Sequence, residues 1–437
     1  MHCSLSAKSA YRLALALVGA AVAGMLVWLS WPRPPATPLV HAAYIWQREW
    51  SDGIGDAMRR NQSFVAEWAV LGAEIEFRPN AVPRIARMTP DYARLRESGR
   101  PVSLVIRVAP WAGLFDADRS EAQLLLQLAR DLLREAQAQG LQAAALQLDF
   151  DAATRQLDGY RSWLTALRSA IAPTPLVLTA LPTWLDSPAF ARLIRAADGY
   201  VLQVHSWEAP RTPEQPFTLC DPERAKRAIR QAARLDRPFW VALPTYGYRA
   251  WFDGQNHLLG LSAEGPTLTA AGSARVREVR ADPVAMAGLV GWLQSHRSAM
   301  LRGVIWYRLP LPEDRLSWHE RTWRAVMAGR VPAAHTELRL KRSDEGLIEV
   351  VAQATGDADS LLDTPIVLQW REAQLFAADG LAGFTVQRIA PEAVQLQPPP
   401  RESSRLAPDR QLILGWLRFD RSPEIAASVE SKSLDGQ

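Results

Sequence analysis

Residues 146–151 have the sequence Leu-Gln-Leu-Asp-Phe-Asp, in which apolar and polar side chains alternate strictly. Successive side chains of a β-strand point to opposite faces, so the three apolar residues share one face and Gln147, Asp149 and Asp151 share the other. The run therefore predicts a strand whose apolar face packs on helices and whose polar face ends in two carboxyl groups.

Strands and helices alternate about eight times around this segment. Strands are predicted at 42–46, 73–77, 102–108, 144–151, 176–181, 200–205, 239–246 and 303–309. The clearest helices are predicted at 120–139, 157–170, 187–196, 222–235, 283–298 and 318–328. This pattern predicts an α/β fold, a (β/α)8 TIM barrel over residues 42–330. A doubly wound open sheet is the alternative, but no glycine-rich phosphate loop follows the first strand.

Strand parity predicts which side chains enter the barrel. Gln203 and His205 alternate with apolar residues in the sixth strand, as Glu74 and Glu76 do in the second. The apolar faces must meet the helices, so we expect the polar faces inside, with their last residues at the C-terminal mouth, where barrel enzymes bind their substrates. We expect the two glutamates to pair with arginines in the lower barrel.

Beyond residue 330 the apolar pattern changes to period two. Strands are predicted at 336–341, 347–354, 365–370, 384–389 and 412–419, with no helix between them. This indicates a small C-terminal β-sandwich domain over 331–420, which could also bind an envelope protein. Residues 421–437 have few large apolar side chains, and we expect a disordered tail there.

The N-terminus has the pattern of a membrane anchor. Residues 13–31 are apolar and uncharged, and a helix of this length is long enough to cross the hydrocarbon core of a bilayer. Lys8 and Arg12 precede it, which favours a cytoplasmic N-terminus. We expect residues 1–31 to form a single-pass inner-membrane helix, 32–41 a proline-rich linker, and the remainder to lie in the periplasm. The alternative is secretion after cleavage of a signal peptide near Ala21-Val-Ala23.

Composition narrows the function classes. The chain has 437 residues, 50 Lys and Arg against 46 Asp and Glu, and its basic residues are scattered, so no nucleic-acid partner is expected. Cys3 and Cys220 fall on opposite sides of the expected membrane segment, which excludes an internal disulfide. The 17 Trp residues suit core packing, and some of them would suit a carbohydrate groove.

The carboxyl pair is the strongest candidate for chemistry. Asp149 and Asp151 lie close enough that both cannot ionise easily, so one pKa should be raised, as a general acid requires. Two carboxylates would also suit Mg²⁺ or Ca²⁺, and solvated acids or a helix cap at Asp151 are the structural alternatives. We predict no metal and no cofactor.

Several motifs together resemble a bacterial family, domain of unknown function 3142. They are Gln147-Leu-Asp-Phe-Asp151, Thr179-Ala-Leu-Pro-Thr-Trp184, Gln203-Val-His205 and Leu243-Pro-Thr-Tyr-Gly247. The resemblance covers about 42–329 and implies a hydrolase-like barrel.

More distantly, the same segment resembles the chitinase-like barrels of glycoside hydrolase family 18. That family has Asp-Gly-x-Asp-x-Asp-x-Glu on its fourth strand, and the final Glu is the catalytic acid. In one alignment Asp151 takes the place of this acid. In the other alignment Ala153 takes its place, which would imply an inactive site. Gly303-Val-Ile-Trp306 resembles the strand whose Trp forms the floor of the sugar site. The sixth strand lacks the family's Tyr-Asp pair, which argues against chitin.

The resemblance and the predicted strand ends suggest further site residues. We expect Asp151, Asp149, Tyr246 and His205 to be catalytic, although packing roles for the last two are equally consistent with the sequence. Glu208 is a reserve acid. The expected substrate contacts are Gln147, Gln203, Trp184, Trp207, Trp306 and Tyr248.

Three functions of different classes are consistent with these features. The first is a membrane-tethered glycosidase that acts on an envelope or exported polysaccharide. The second is a barrel that binds glycan without catalysis, and the third is a scaffold of an envelope complex.

Deleting residues 1–31 should yield a soluble, folded protein, because only that stretch is long and apolar enough to span a bilayer. Fractionation of cells that express the full and truncated chains checks this. Membrane association of the truncated chain would reveal a second anchoring surface.

Overall fold

The computed structural model describes residues 38–79, 81–206, 209–263, 275–343, 346–399 and 405–429. The predicted membrane segment 13–31 lies outside these ranges. Within them, no helix combines the length and the apolar character that a membrane crossing needs.

The first part of the described chain alternates strands and helices, as the sequence predicts. The strands are β1 (His41–Ile45), β2 (Glu67–Glu76), β3 (Arg84–Arg87), β4 (Val102–Val108), β5 (Ala145–Phe150), β6 (Leu176–Ala180), β7 (Gly199–Gln203), β8 (Phe239–Pro244), β9 (Gly247–Phe252), β10 (Leu258–Ser262), β11 (Arg275–Arg280) and β12 (Leu301–Tyr307). The helices are α1 (Asp52–Asn61), α2 (Tyr92–Glu97), α3 (Ser120–Ala138), α4 (Leu157–Ile171), α5 (Pro188–Leu193), α6 (Pro222–Ala232), α7 (Pro283–Ser295) and α8 (Glu320–Met327). The sequence did not predict α1, α2 or the small sheet formed by β9, β10 and β11.

Eight strands close into a parallel barrel. Strands β1, β2, β4, β5, β6, β7, β8 and β12 pair side by side in that order, and β12 pairs in turn with β1. The predicted closed barrel of parallel strands is therefore confirmed, and the open-sheet alternative is wrong.

The barrel interior is less polar than strand parity predicts. Small and branched apolar side chains, with Ala69, Leu71 and Val105 among them, fill its middle. Glu74 lies at the mouth, where it meets Arg48 and Arg107, and Glu76 pairs with Arg78 outside. The expected pairing with arginines is present, but the expected position in the lower barrel is wrong, because β2 begins at Glu67 and both glutamates lie near its carboxyl end.

Two antiparallel sheets form the C-terminal β-sandwich. Its strands are β13 (Thr336–Arg342), β14 (Leu347–Ala354), β15 (Ser360–Leu361), β16 (Ile366–Trp370), β17 (Leu375–Gly380), β18 (Thr385–Ala390), β19 (Ala393–Gln397), β20 (Arg405–Leu406), β21 (Gln411–Phe419) and β22 (Ile425–Val429). The four-stranded sheets β13-β14-β21-β17 and β18-β19-β16-β22 enclose one apolar core, and β15 and β20 form a separate two-stranded sheet. The prediction of a tail disordered from 421 is wrong for β22, which pairs with β16 through backbone hydrogen bonds that need no large side chain; residues 430–437 lie outside the described chain.

Aspartates of the sandwich meet arginines of the barrel. The carboxylate of Asp357 forms an ion pair with Arg330, just beyond α8, and accepts a 2.6 Å hydrogen bond from the backbone N–H of Ala333. Its carbonyl oxygen accepts another from the Thr322 hydroxyl. Asp409 likewise pairs with Arg321. The two bonds to the Asp357 carboxylate are charge-assisted and partly shielded from water, so they contribute more to the join between barrel and sandwich than the exposed Arg321–Asp409 pair.

Replacing Asp357 by Ala should destabilise the chain by about 1–3 kcal/mol, because its side chain accepts two charge-assisted bonds in a half-buried place. Thermal or urea unfolding measures the change. Glu337→Ala, on an exposed strand of the sandwich, is the matched control and should change stability by less than about 0.5 kcal/mol. Equal effects of the two substitutions would contradict the role given to Asp357.

Candidate active site

A cavity of about 180 Å³ opens at the C-terminal mouth of the barrel. It is smaller than the 300–1,000 Å³ that a ligand pocket generally occupies. Its walls are formed by Tyr44, Trp46, Arg107, Asp149, Asp151, Thr179, Val201, Gln203, His205, Ser206, Ala242, Tyr246, Tyr248 and Tyr307. All four predicted catalytic residues therefore line one cavity, together with Gln203 and Tyr248.

Asp149 and Asp151 face this cavity from β5 and the turn that follows it. Asp149 is half-buried, and burial, followed by the negative charge of Asp151, raises its pKa to about 6. Residue Asp151 is exposed at the rim, yet burial of its carboxyl group among neighbouring atoms raises its pKa, and the nearby Arg107 opposes that rise. We expected one raised pKa in this pair, and the pKa values of both carboxyl groups are raised. Which group donates a proton and which stays ionised remains a prediction.

Arg107 is the cation closest in register to the carboxyl pair. It lies opposite Asp149 on the neighbouring strand β4, and Glu74 of β2 lies opposite it on the other side. Glu74 is 3.8 Å from Arg107 and accepts two bonds of 2.9 Å from Arg48. Positive and negative groups thus alternate around the mouth. The positive charges lower the electrostatic free energy of two ionised carboxylates placed there.

A buried polar layer lies directly beneath Asp149. Gln147 is only 2% exposed, and its Nε2 donates to Tyr44 Oη at 2.6 Å and to Thr179 Oγ1 at 2.9 Å. Thr179 lines the cavity together with Asp149, and its hydroxyl opposes the rise in the pKa of Asp149. Gln147 is therefore one layer below the cavity, and its predicted contact with substrate is wrong.

Tyr307 is the central ring of the aromatic wall. Its centroid lies 5.0–5.7 Å from the rings of Tyr44, Trp46, His205 and Tyr246. Aromatic faces and phenol hydroxyls side by side can pack on the apolar face of a sugar ring and hydrogen-bond to its hydroxyls.

A chain of hydroxyl groups forms another part of the wall. Tyr246 Oη lies 3.4 Å from His205 Nδ1 and 3.1 Å from Tyr248 Oη, which is 2.9 Å from Ser206 Oγ. Burial lowers the pKa of His205 to about 3, so its ring is neutral near pH 7 and can serve as a hydrogen-bond partner of Tyr246. A proton shared between His205 and Asp151 has no support in these contacts.

Two of the predicted tryptophans lie outside the cavity. Trp306 faces the helix layer, where its ring stacks on His41 and packs beside Trp318, so its expected role as the sugar floor is wrong. Side chains alternate along β12, and Tyr307, the next residue, faces inward instead. Trp184 is also buried, and its indole N–H donates to the carbonyl of Ala152, next to Asp151. Trp207 and the reserve acid Glu208 lie outside the described residues.

The sequence reasoning missed Tyr44, Trp46, Arg107, Thr179, Ser206 and Tyr307. Two signals could have found some of them. Arg107 is the only charged residue of its strand, and Tyr44 and Trp46 share with Ala42 the parity of an inner face. Among the described residues, no group of three or more His, Cys, Asp or Glu side chains could hold a metal ion.

Residues 98–312 match the family model described as domain of unknown function (DUF3142). The resemblance inferred from the motifs is thus confirmed over that segment, which contains β5 to β8 and most of the cavity wall. No curated protein matches the sequence.

Several solved structures are similar to this fold. The spore cortex-lytic enzyme SleL of Bacillus cereus has 14% identity and a TM-score of 0.47, over 68% of this chain and 75% of that one. A chitinase of Chromobacterium violaceum has 16% identity and a TM-score of 0.45, over 67% and 98%. A family GH18 chitinase of the same species has 11% identity and a TM-score of 0.40, over 91% of both chains.

Asp149→Asn should raise the melting temperature at pH 8 and should raise it about half as much at pH 5. Folding raises the pKa of Asp149 to about 6, so the folded state binds the proton more tightly than the unfolded chain. That contribution to stability is complete at pH below the unfolded value near 4 and is lost as pH rises through 6. The gain at pH 8 should be on the order of 1–3 kcal/mol.

Asp158→Asn is the control of opposite sign. Its exposed carboxylate pairs with Arg192, which lowers the pKa of Asp158, so removing it should cost stability at pH 8. Thermal unfolding at both pH values measures both variants. A loss of stability at pH 8 in Asp149→Asn would contradict the electrostatics described for the cavity.

Proposed function

We propose that the barrel is a glycoside hydrolase in which Asp151 is the general acid. One observation carries the proposal: two carboxyl groups with raised pKa values share a cavity whose other walls are aromatic rings and hydroxyl groups. A carboxyl group that keeps its proton closer to neutral pH can protonate a glycosidic oxygen. Aromatic rings beside it suit the apolar face of a sugar.

The two carboxyl groups receive different roles from their positions. Asp151 lies at the exposed rim, where the oxygen of a leaving group can reach it. Asp149 is deeper, and Thr179 and Arg107 oppose the rise in its pKa, so it ionises above about pH 6 and can then stabilise positive charge that develops on the sugar. Both acids lie on one short segment, β5 and the turn that follows it, which suits chemistry in which the nucleophile is a group of the substrate.

The remaining wall residues would hold the sugar. Tyr246, kept in place by the neutral His205, and Tyr248 present hydroxyl groups. Gln203 lines the same cavity and can bind a sugar hydroxyl, and Tyr307 takes the stacking role that the family resemblance assigned to Trp306.

The substrate in this proposal is a polysaccharide of the envelope or an exported one. The apolar segment 13–31, with basic residues before it, supports a single-pass anchor in the inner membrane and a barrel in the periplasm. Secretion after signal cleavage would give the barrel the same class of substrate.

The size of the cavity favours a second candidate, glycan binding without hydrolysis. About 180 Å³ is little room for a distorted sugar and its leaving group together. Exposed apolar side chains on the sandwich, such as Phe376 and Ile413, would give a non-catalytic chain of this kind a surface for an envelope protein.

Asp151→Asn should lower the rate of glycan hydrolysis by a factor on the order of 10²–10⁴, because the amide keeps the shape of the side chain and cannot donate the proton. Reducing-sugar release from a panel of bacterial polysaccharides measures this, with purified full-length protein in detergent. Asp116→Asn, in the loop after β4, is the control and should keep the full rate.

Binding separates the candidates when hydrolysis is absent. Retention of a glycan on an array by a chain that releases no sugar would select the second candidate. The absence of both sugar release and glycan binding would favour the third function, a scaffold of an envelope complex. Full activity of Asp151→Asn on an identified substrate would overturn the assignment of the acid.

A further inference from the structure

A strongly basic cavity of about 500 Å³ lies on the outside of the barrel, between α4 and α5. Its described lining includes four arginines and two hydroxyl side chains, and no acidic side chain is among these residues. They are Arg161, Arg168, Arg192, Arg195, Thr165 and Ser169. A guanidinium group binds phosphate through two parallel N–H donors, so this lining suits a phosphate-bearing anion.

Two of these arginines form ion pairs at the edge of the cavity. Arg168 pairs with Asp198, and Arg192 donates two bonds, of 3.0 and 2.8 Å, to Asp158. The pairs hold the two guanidinium groups in place, and they offset two of the four positive charges.

The other two arginines, Arg161 and Arg195, are exposed and form no ion pair with a described residue. Asp158, one turn before Arg161 on α4, is already bound by Arg192. An excess of two positive charges therefore remains in the cavity, on guanidinium groups whose N–H donors no described acid occupies.

The cavity reaches the end of the barrel that lies opposite the mouth. Arg168 lies in the last turn of α4, shortly before β6 begins, and Arg195 lies shortly before Gly199, the first residue of β7. In a parallel barrel the amino ends of all the strands lie together, at the end opposite the substrate-binding mouth. The cavity and the proposed active site are therefore at different ends of the barrel.

Further arginines lie at this same end. The segments that join a helix to the next barrel strand contain five arginines and two acids. They are Arg100, Arg195, Arg234, Arg237 and Arg297 against Asp198 and Asp236. These residues are scattered along the sequence, and the topology gathers them at one end of the barrel, which a negatively charged surface would attract.

The chain also enters the barrel at this end. Strand β1 begins at His41, and residues 1–37, outside the described ranges, precede it. The nine residues 32–40 between the apolar segment 13–31 and β1 span at most about 30 Å when fully extended. An anchor formed by the apolar segment would thus keep the arginine-rich end near the membrane, rather than the mouth.

We propose that the arginine-lined cavity binds the phosphate group of an anionic phospholipid and holds this end of the barrel against the membrane. The mouth then opens away from the membrane, where a polysaccharide can reach it. The attraction is electrostatic and screened by salt, so it orients an anchored barrel and does not by itself retain a chain that lacks residues 1–31. The inference goes beyond the hydrolase proposal and does not depend on it.

Chemical modification of arginine side chains tests this in the full-length protein. The chain is placed in lipid nanodiscs of phosphatidylcholine alone, or of phosphatidylglycerol and phosphatidylcholine in equal parts, and phenylglyoxal adducts are quantified by mass spectrometry. Phosphatidylglycerol should slow the modification of Arg161 and Arg195 by about fivefold, the factor that one arginine contributes at an anionic surface. Salt at about 1 M should remove the difference, because it shortens the Debye length to about 3 Å.

Arg155 is the internal control. It is exposed just beyond β5, at the mouth, so its modification should proceed equally in the two kinds of disc. Equal rates for Arg161 and Arg195 in both discs would overturn the inference. Slower modification of Arg155 as well would also overturn it, because the mouth would then face the lipid.

Charge reversals separate the cavity from the general charge of the chain. Arg161→Glu combined with Arg195→Glu should abolish the difference between the discs at Arg168. Arg155→Glu combined with Arg388→Glu makes the same change of charge on exposed residues elsewhere and should preserve the difference. A difference that survives in the first variant would overturn the inference. If thermal unfolding shows that this variant does not fold, Arg161→Gln with Arg195→Gln repeats the test.

Other sources of phosphate are distinguished in detergent without phospholipid. Inorganic phosphate and a single-stranded oligonucleotide are added separately at physiological salt, and neither should slow the modification of Arg161 or Arg195. Protection by either one equal to that by phosphatidylglycerol would overturn the assignment to a lipid.

Failure of the anchor can be told apart from failure of this inference. A chain that enters neither disc would contradict the anchor. Vesicles of the same two compositions, added to that chain at low salt, would then decide the inference: slower modification of Arg161 and Arg195 with phosphatidylglycerol would support it, and equal rates would overturn it.

Discussion

Two carboxyl groups of like charge, on Asp149 and Asp151, face one cavity from the end of β5 and the turn after it, and their repulsion is the main constraint on the mouth of the barrel. Burial raises the pKa of both groups. Arg107, which lies on the neighbouring strand, and the Thr179 hydroxyl both oppose the rise in the pKa of Asp149. Because both pKa values remain raised, the pair takes up a proton more readily than ordinary aspartates do. The proposed chemistry uses this property.

The closed barrel could be predicted from alternation along the chain. Eight apolar strands with helices between them leave few topologies, and the parity of Gln147, Asp149 and Asp151 places the carboxyl pair on the inner face. Strand ends then bring His205, Tyr246 and Tyr248 to the same mouth, because the carboxyl ends of parallel strands meet at one end of a barrel. This part of the site depends on local patterns and on general geometry.

The rest of the site depends on register and on contacts that a sequence does not contain. Trp306 and Tyr307 are both aromatic, and a resemblance selected the first, whereas pairing of β12 with β1 turns the second inward. Arg107 meets Asp149 only because β4 and β5 pair in one register out of several. The layer of Gln147, Tyr44 and Thr179 joins three strands, and its bond directions follow only from the positions of the atoms.

A crystal structure of Asp151→Asn soaked with an oligosaccharide that the protein retains would test the central claim most directly. The account predicts a sugar ring in the cavity, stacked against Tyr307, with a glycosidic oxygen within hydrogen-bond distance of the side chain at position 151. Asp149 should approach the same ring from below. A glycan bound only on the sandwich or on the outside of the barrel, with the cavity empty, would contradict the account.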